Sequence, residues 1–170
     1  MRTERGDRTT TREPKRSLHI GISGLIHGED VSMTEDAYEL HPIGWVESSL
    51  VDPDAAPKQG DEGAPDADLM FNSDVAEGIK DLHVGEELIV LTWLHRARRD
   101  VLAVRPRDDD RNPLHGVFST RAADRPNPVG LHRVVIVSID GLRVRVRNLE
   151  ALDGTPVIDV KPILGPVGER

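Results

Sequence analysis

Two guanidinium groups and one carboxamide sit in a stretch of this 170-residue sequence that has little freedom to bend. In Gly116–Leu131, GVFSTRAADRPNPVGL, Pro126 and Pro128 each hold φ at about −65° and remove an amide donor, and each pushes the residue before it out of the α region. Asn127 is therefore held extended between two rigid residues, its amide aimed in a set direction. Arg121 and Arg125 precede it, four residues apart. A loop this stiff is preorganised to hold something polar. The same spacing also suits a surface turn whose arginines are merely solvated.

Further candidates lie outside this loop. His95 and Arg96 emerge at the end of an unbroken apolar run, ELIVLTWLH. Lys58, in Pro57-Lys58-Gln59-Gly60, is the one lysine of a strongly acidic neighbourhood. Arg143, Arg145 and Arg147 alternate with Val144 and Val146, which gives a strand one basic and one buried face. The net charge of −8 conceals an asymmetry: residues 17–92 carry two basic and seventeen acidic groups, whereas residues 93–147 carry twelve basic and six acidic. An anionic ligand would be drawn to the second segment.

Several chemistries lack their residues. There is no cysteine, which excludes disulfides and thiolate metal sites and permits a reducing compartment. The seven histidines include no HExxH pair and are irregularly spaced, so no metal is expected. No GxGxxG or GxxxxGK[ST] fingerprint is present, and Ser119 and Ser138 lack a nucleophile elbow. Aromatic residues make up 3% of the chain, too few for an obvious base-stacking platform. No run approaches the roughly 18 apolar residues of a membrane helix, so no membrane partner is expected.

The elements that must position these side chains are mostly strands. Residues 1–38 read as a disordered leader: the first sixteen are polar and Thr/Arg-rich, Leu18–Ile26 is only loosely like a secretory signal, and Met33 could equally start translation. Residues 39–166 read as one domain. Pro42–Ser48 alternates as a first strand, Leu50–Asp68 is a long Pro/Gly/Asp loop, and Leu69–Phe71 is a short strand. Ser73 or Asp74 can cap a short helix to about Leu82, with Val75, Ile79 and Leu82 on one face and Val84-Gly85 as its stop. Glu87–His95 is a central strand, Val101–Val104 a further strand, and Val117-Phe118 a strand leading into the rigid loop. Val134–Ile139 and Leu142–Val146 flank Asp140-Gly141 as a hairpin, and Val157–Val160 is the last strand. The fold class is all-β: a small closed or nearly closed β-barrel with one short helix and long loops.

STRAADRPNPVGL together with LEALDGTPVIDVKPIL resembles the signature pair of the TrmO (YaeB, TsaA-like) family. The similarity runs from about Ile43 to Leu164 and takes in IGWVES, APKQG and IVLTWLHR in the same order. The resemblance implies an S-adenosylmethionine-dependent methyltransferase acting on N6 of threonylcarbamoyladenosine beside the anticodon of certain tRNAs. It also implies a small barrel, a cytoplasmic location, and a homodimer with the cofactor site near the subunit interface. Carried over position by position, it implies cofactor contacts from Pro57, Lys58, Gln59, His95, Arg96, Arg121, Leu131, Leu149 and Glu150. Asp153, Glu150 or His95 could serve as base, and Arg125, Asn127, Arg143 and Arg145 would meet the tRNA. The family has arginine where this chain has Lys58, a point charge in place of a fork. Because the chain is acidic overall, tRNA would have to be held by a local basic strip that includes Arg147. A small-molecule methyl acceptor on the same fold, or a ligand-binding barrel without turnover, are the alternatives.

Overall fold

Alternation in the last third of the chain closes the fold. The computed structural model describes residues 39–165, and from His41 onward they form one unit. The barrel strands are β1 (Gly44–Glu47), β2 (Ala67–Phe71), β3 (Glu87–Trp93), β6 (Val129–Asp140), β7 (Arg143–Arg147) and β8 (Pro156–Pro162). All neighbours pair antiparallel, and the order β1-β2-β7-β6-β3-β8 returns on itself as a closed barrel. Closure leaves no barrel strand with an unpaired edge. Along β6, Gly130, His132, Val134 and Ile136 turn inward while their neighbours face out; along β7, Val144 and Val146 do the same. With Val46, Leu69, Leu88, Val90 and Val157 they form a core that is at most 1% exposed at each of its valines, leucines and isoleucines. Each such side chain contributes about 1.5–3 kcal/mol of apolar burial.

Because every pairing is antiparallel, the connections sort onto two mouths. The segments after β1, β3 and β7 and those before β2, β6 and β8 meet at one mouth, and the 72–86 connection, the β6–β7 turn and the end of β8 meet at the other. A separate two-stranded ribbon, β4 (Ala103–Val104) with β5 (His115–Gly116), lies between β3 and β6 in the chain.

The barrel and the central strand are as the sequence indicates; β3 is paired on both sides, by β6 and by β8. Local details differ. The expected helix is a 3-10 run, Ser73–Ile79, entered through Asn72, whose amide donates to the Pro42 carbonyl (2.8 Å) and caps nothing. The run is wound tighter than an α-helix, but Val75, Ile79 and Leu82 still pack on the core as their spacing demands. Val117-Phe118 lies in a 3-10 turn, Val117–Ser119, and in no strand; Val117 is fully buried and Phe118 stands 80% exposed. The strand expected over Val101–Val104 shrinks to the two-residue β4. The hairpin slips by one residue, with Asp140 paired to Arg143 and Gly141 turning at φ 56°, because glycine alone tolerates that conformation at no cost. The leader expected over residues 1–38 lies outside the described residues. Among the described residues no helix is long and apolar enough to cross a membrane.

Candidate functional site

A cavity of about 970 Å³ opens at the first mouth, ample for a nucleoside-sized ligand. Four segments wall it: the 53–59 loop after β1, the turn Leu94–Ala97 at the end of β3, the 118–124 stretch before β6, and the 150–155 connection before β8. The 104–108 segment forms a further rim.

Polar contacts knit these segments together. Arg121 donates to Gln59 Oε1 (3.2 Å), and Gln59 in turn donates from Nε2 to the Lys58 carbonyl (2.6 Å). Lys58 pairs with Asp108 (2.8 Å) and Arg107 with Glu62 (2.6 Å), so the loop after β1 is latched to the rim by two exposed ion pairs. Arg96 reaches the Val51 carbonyl (3.0 Å). Gly60 lets the loop seat against the β7–β8 connection: a Cβ there would lie 2.0 Å from the Asn148 carbonyl oxygen and 2.9 Å from Glu150 Oε2. Burial, and then the neighbouring Arg96 charge, hold the His95 imidazole below its ordinary range, which favours its neutral form.

The floor is made by inward residues. His132 is 5% exposed; its Nε2 lies 2.9 Å from Thr92 Oγ1, and its Nδ1 lies 2.9 Å from Glu150 Oε1. That second approach is within ion-pair range but off the line of a ring N–H, so Nδ1 makes no well-aligned hydrogen bond. Gly130 makes room for the pair: a Cβ there would stand 2.3 Å from Thr92 Oγ1 and 2.6 Å from His132 Nε2.

Of the expected cofactor residues, Pro57, Lys58, Gln59, His95, Arg96, Arg121 and Glu150 line this one cavity, brought together from four separate stretches of chain. Leu149 is fully buried in the core, and Leu131 points outward from β6, 47% exposed; neither lines the cavity. Nor does Asp153, whose carboxylate accepts from the Ser48 amide (3.0 Å) at a turn completed by Gly154 at φ 72°. Arg125 is spent on its own loop, donating to the carbonyls of Ala122 (2.8 Å), Thr120 (2.7 Å) and Val117 (3.2 Å). Asn127 is exposed and outside the cavity lining. Arg143 and Arg145 converge on Asp68 (2.6 and 2.9 Å), and Arg143 also meets Glu47 (2.9 Å). The basic face expected of β7 is therefore neutralised by carboxylates from β1 and β2, because cross-strand pairing sets Asp68 directly opposite Arg145.

His132, Thr92, Gly60 and Gly130 escaped the reading of the sequence. A signal for His132 was present: the alternation Gly130-His132-Val134-Ile136 sends a histidine inward with the core valines.

The sequence profile described as the tRNA-methyltransferase O N-terminal domain matches residues 45–167. A probable S-adenosyl-L-methionine-binding protein of Archaeoglobus fulgidus is 41% identical over 124 residues, covering 73% of this chain and 33% of that protein. One of the same description from Methanothermobacter thermautotrophicus is 40% identical over 130 residues, covering 76% of this chain and 93% of its own length. Among solved structures, a TrmO superposes with a TM-score of 0.61 at 29% identity, over 75% of this chain and 58% of that one. TrmO from Pseudomonas aeruginosa gives 0.59 at 26% identity, over 75% and 56%. The chain thus spans a third of the first relative and somewhat over half of each solved chain.

Proposed function

The chain belongs to the tRNA-methyltransferase O N-terminal domain family, and from that premise we propose that it binds S-adenosylmethionine in the open mouth of the barrel and transfers its methyl group to tRNA. The observation that carries this reading is the convergence of Lys58, Gln59, His95, Arg96, Arg121 and Glu150 on one cavity. That donor set suits the ligand. Lys58 and Arg121 can take its carboxylate, Glu150 its ribose hydroxyls, and backbone groups of the cavity wall its adenine edge.

When bound, S-adenosylmethionine supplies a methyl group activated by its sulfonium, and the protein's contribution is chiefly alignment for in-line displacement. The acceptor we propose is N6 of threonylcarbamoyladenosine beside the anticodon. That nitrogen is a weak nucleophile and must lose a proton. Asp153 is committed to its turn and Glu150 to the ribose, which leaves the neutral His95 as the group able to accept it. For the phosphates we assign exposed Arg105, which lines the cavity, and exposed Arg98 and Arg99, which follow its Leu94–Ala97 wall in the chain.

We place the protein in the cytoplasm, working as a homodimer. Exposed Val129 and Leu131 on the outer face of β6, with Leu102, Leu114 and Phe118 near the ribbon, supply apolar surface for a second copy. Leu131 would then meet a cofactor across the interface. A small-molecule acceptor is the second reading, favoured by the occupation of Arg143 and Arg145 by Asp68.

The test is methyl transfer from radiolabelled S-adenosylmethionine into bulk tRNA from cells with and without the threonylcarbamoyl modification. Label incorporated only where the modification is present supports the first reading. Tight cofactor binding by calorimetry with no label in tRNA moves the acceptor to a small molecule. Absence of cofactor binding overturns the site.

A further inference from the structure

The histidine beneath the cavity has no part in the reading above, yet its surroundings are those of a positioning group. His132 is buried between a hydroxyl and a carboxylate: Thr92 Oγ1 at 2.9 Å from Nε2, and Glu150 Oε1 at 2.9 Å from Nδ1. Thr92 is fully buried, so its hydroxyl cannot be a nucleophile toward a ligand; it can only orient the ring. Glu150 is the partner that reaches the cavity, with its side chain 20% exposed. The ring proton has two possible places, and they are unequal. On Nε2 it would leave the Nδ1 lone pair facing a carboxylate oxygen at contact distance, which repels unless Glu150 is protonated. On Nδ1 it faces that carboxylate favourably, while the Thr92 hydroxyl donates to the bare Nε2. Two glycines support this arrangement. Gly130 leaves space for the Thr92–His132 contact, and Gly60 lets the loop carrying Lys58 and Gln59 pass without a Cβ crowding Glu150 Oε2.

We propose that His132 is a positioning residue for ligand binding: its ring, held by Thr92 as the Nδ1–H tautomer, holds Oε1 of Glu150 and so turns Oε2 toward the cavity to accept hydrogen bonds from the ligand's hydroxyls. This proposal rests on the reading of the cavity as an S-adenosylmethionine site, so its test begins with a measurement that does not depend on that reading.

Nitrogen-15 NMR of the histidine rings in the ligand-free full chain reads the tautomer directly, and His132→Asn identifies the signal. A protonated Nδ1 and bare Nε2 are expected; a neutral ring protonated at Nε2 overturns the proposal whether or not the cofactor binds. The second measurement is calorimetric binding of S-adenosylmethionine. Asparagine places an amide nitrogen near the position of Nδ1, whereas glutamine reaches only toward Nε2. His132→Asn is expected to bind within about threefold of the unaltered protein, and His132→Gln about tenfold more weakly. Glu150→Gln should weaken binding by about tenfold, and adding His132→Gln should cost little more, since both remove one unit. If the losses from Glu150→Gln and His132→Gln multiply, or if Asn and Gln are equally poor, His132 is only a packing residue and the proposal fails. Should the unaltered chain not bind S-adenosylmethionine, the function proposed above fails, while the tautomer still decides the histidine's arrangement.

Discussion

The two mouths of the barrel are built from the same six strands and have opposite characters. At one, Val75, Ile79 and Leu82 from the 72–86 connection pack on the core beside Ile139 and Leu142. The β6–β7 turn there occupies the fewest residues a hairpin allows. At the other, three connections carry arginines, a lysine, a histidine and a glutamate around a cavity, and the floor itself is polar. The strands between them are almost wholly apolar inside. A barrel this small is filled by its own inward side chains, so its core stays dry even with one mouth open. The difference shows where the molecule invests its stability and where it places polar groups at some stability cost.

Substitutions at matched positions in the two mouths can break that contrast. The largest effect is expected from Gly130→Ala. Its Cβ would collide with Thr92 Oγ1 and His132 Nε2, so stability should fall by about 1–3 kcal/mol and ligand affinity should fall with it. Thermal unfolding and calorimetry together check this, and a stable, fully binding variant would mean the floor plays no part. Next comes Arg121→Ala, expected to weaken S-adenosylmethionine binding by tenfold or more at an unchanged melting temperature, because its contact is exposed and carries little of the fold. Unchanged affinity would remove Arg121 from the site.

At the plugged mouth the pattern should reverse. Ile79→Ala, which thins the plug, is expected to lower stability by about 1–2 kcal/mol, less than a full core deletion because Ile79 is only partly buried, with affinity unaltered. Gly141→Ala should cost about 1 kcal/mol, since alanine is strained at a φ of 56°, and should likewise leave binding alone. A loss of affinity in either variant would show that the mouths are coupled.

The smallest effect concerns the wall between them. Hydrogen bonding from Arg145, reinforced by Arg143, holds the Asp68 carboxyl below the usual aspartate range despite the opposing effect of burial. A depressed folded-state value means stability that is present above the ordinary aspartate pKa and lost as pH falls through the folded one. Below about pH 4 the unaltered protein should therefore lose stability more steeply than Asp68→Asn, as denaturant titrations at stepped pH would show. Parallel curves would reduce the Asp68 pairs to solvated contacts.

Parts of both mouths were legible in the sequence and parts were not. The period-two runs around Val144 and Val146, the unbroken ELIVLTW and the Asp-Gly turn signal specify strands by local chemistry, so the barrel class could be read directly. The spacing of Val75, Ile79 and Leu82 marked them as one face even though the turn geometry came out tighter than an α-helix. Local chemistry singled out Lys58, His95, Arg96 and Arg121, resemblance to a family added the rest of the candidate site, and seven of the nine cofactor residues it implies line the cavity. Leu131 and Leu149 are adjacent to site elements in the chain, yet strand alternation sends the first outside the barrel and the connection after β7 puts the second into the core.

By itself, the sequence determined the barrel strands, the apolar face of each and the turns to within a residue or two, the start of β6 excepted, because those depend on residues within a few positions of one another. Only the tertiary structure decided which charges are free. Arg143 and Arg145 are 75 and 77 residues from Asp68, and His132 is 40 residues from Thr92. No local pattern encodes those distances. They are fixed when the barrel closes and register sets β7 against β2 and β6 against β3, and closure is what turns a basic stripe into an ion-paired wall and a lone histidine into the floor of a cavity.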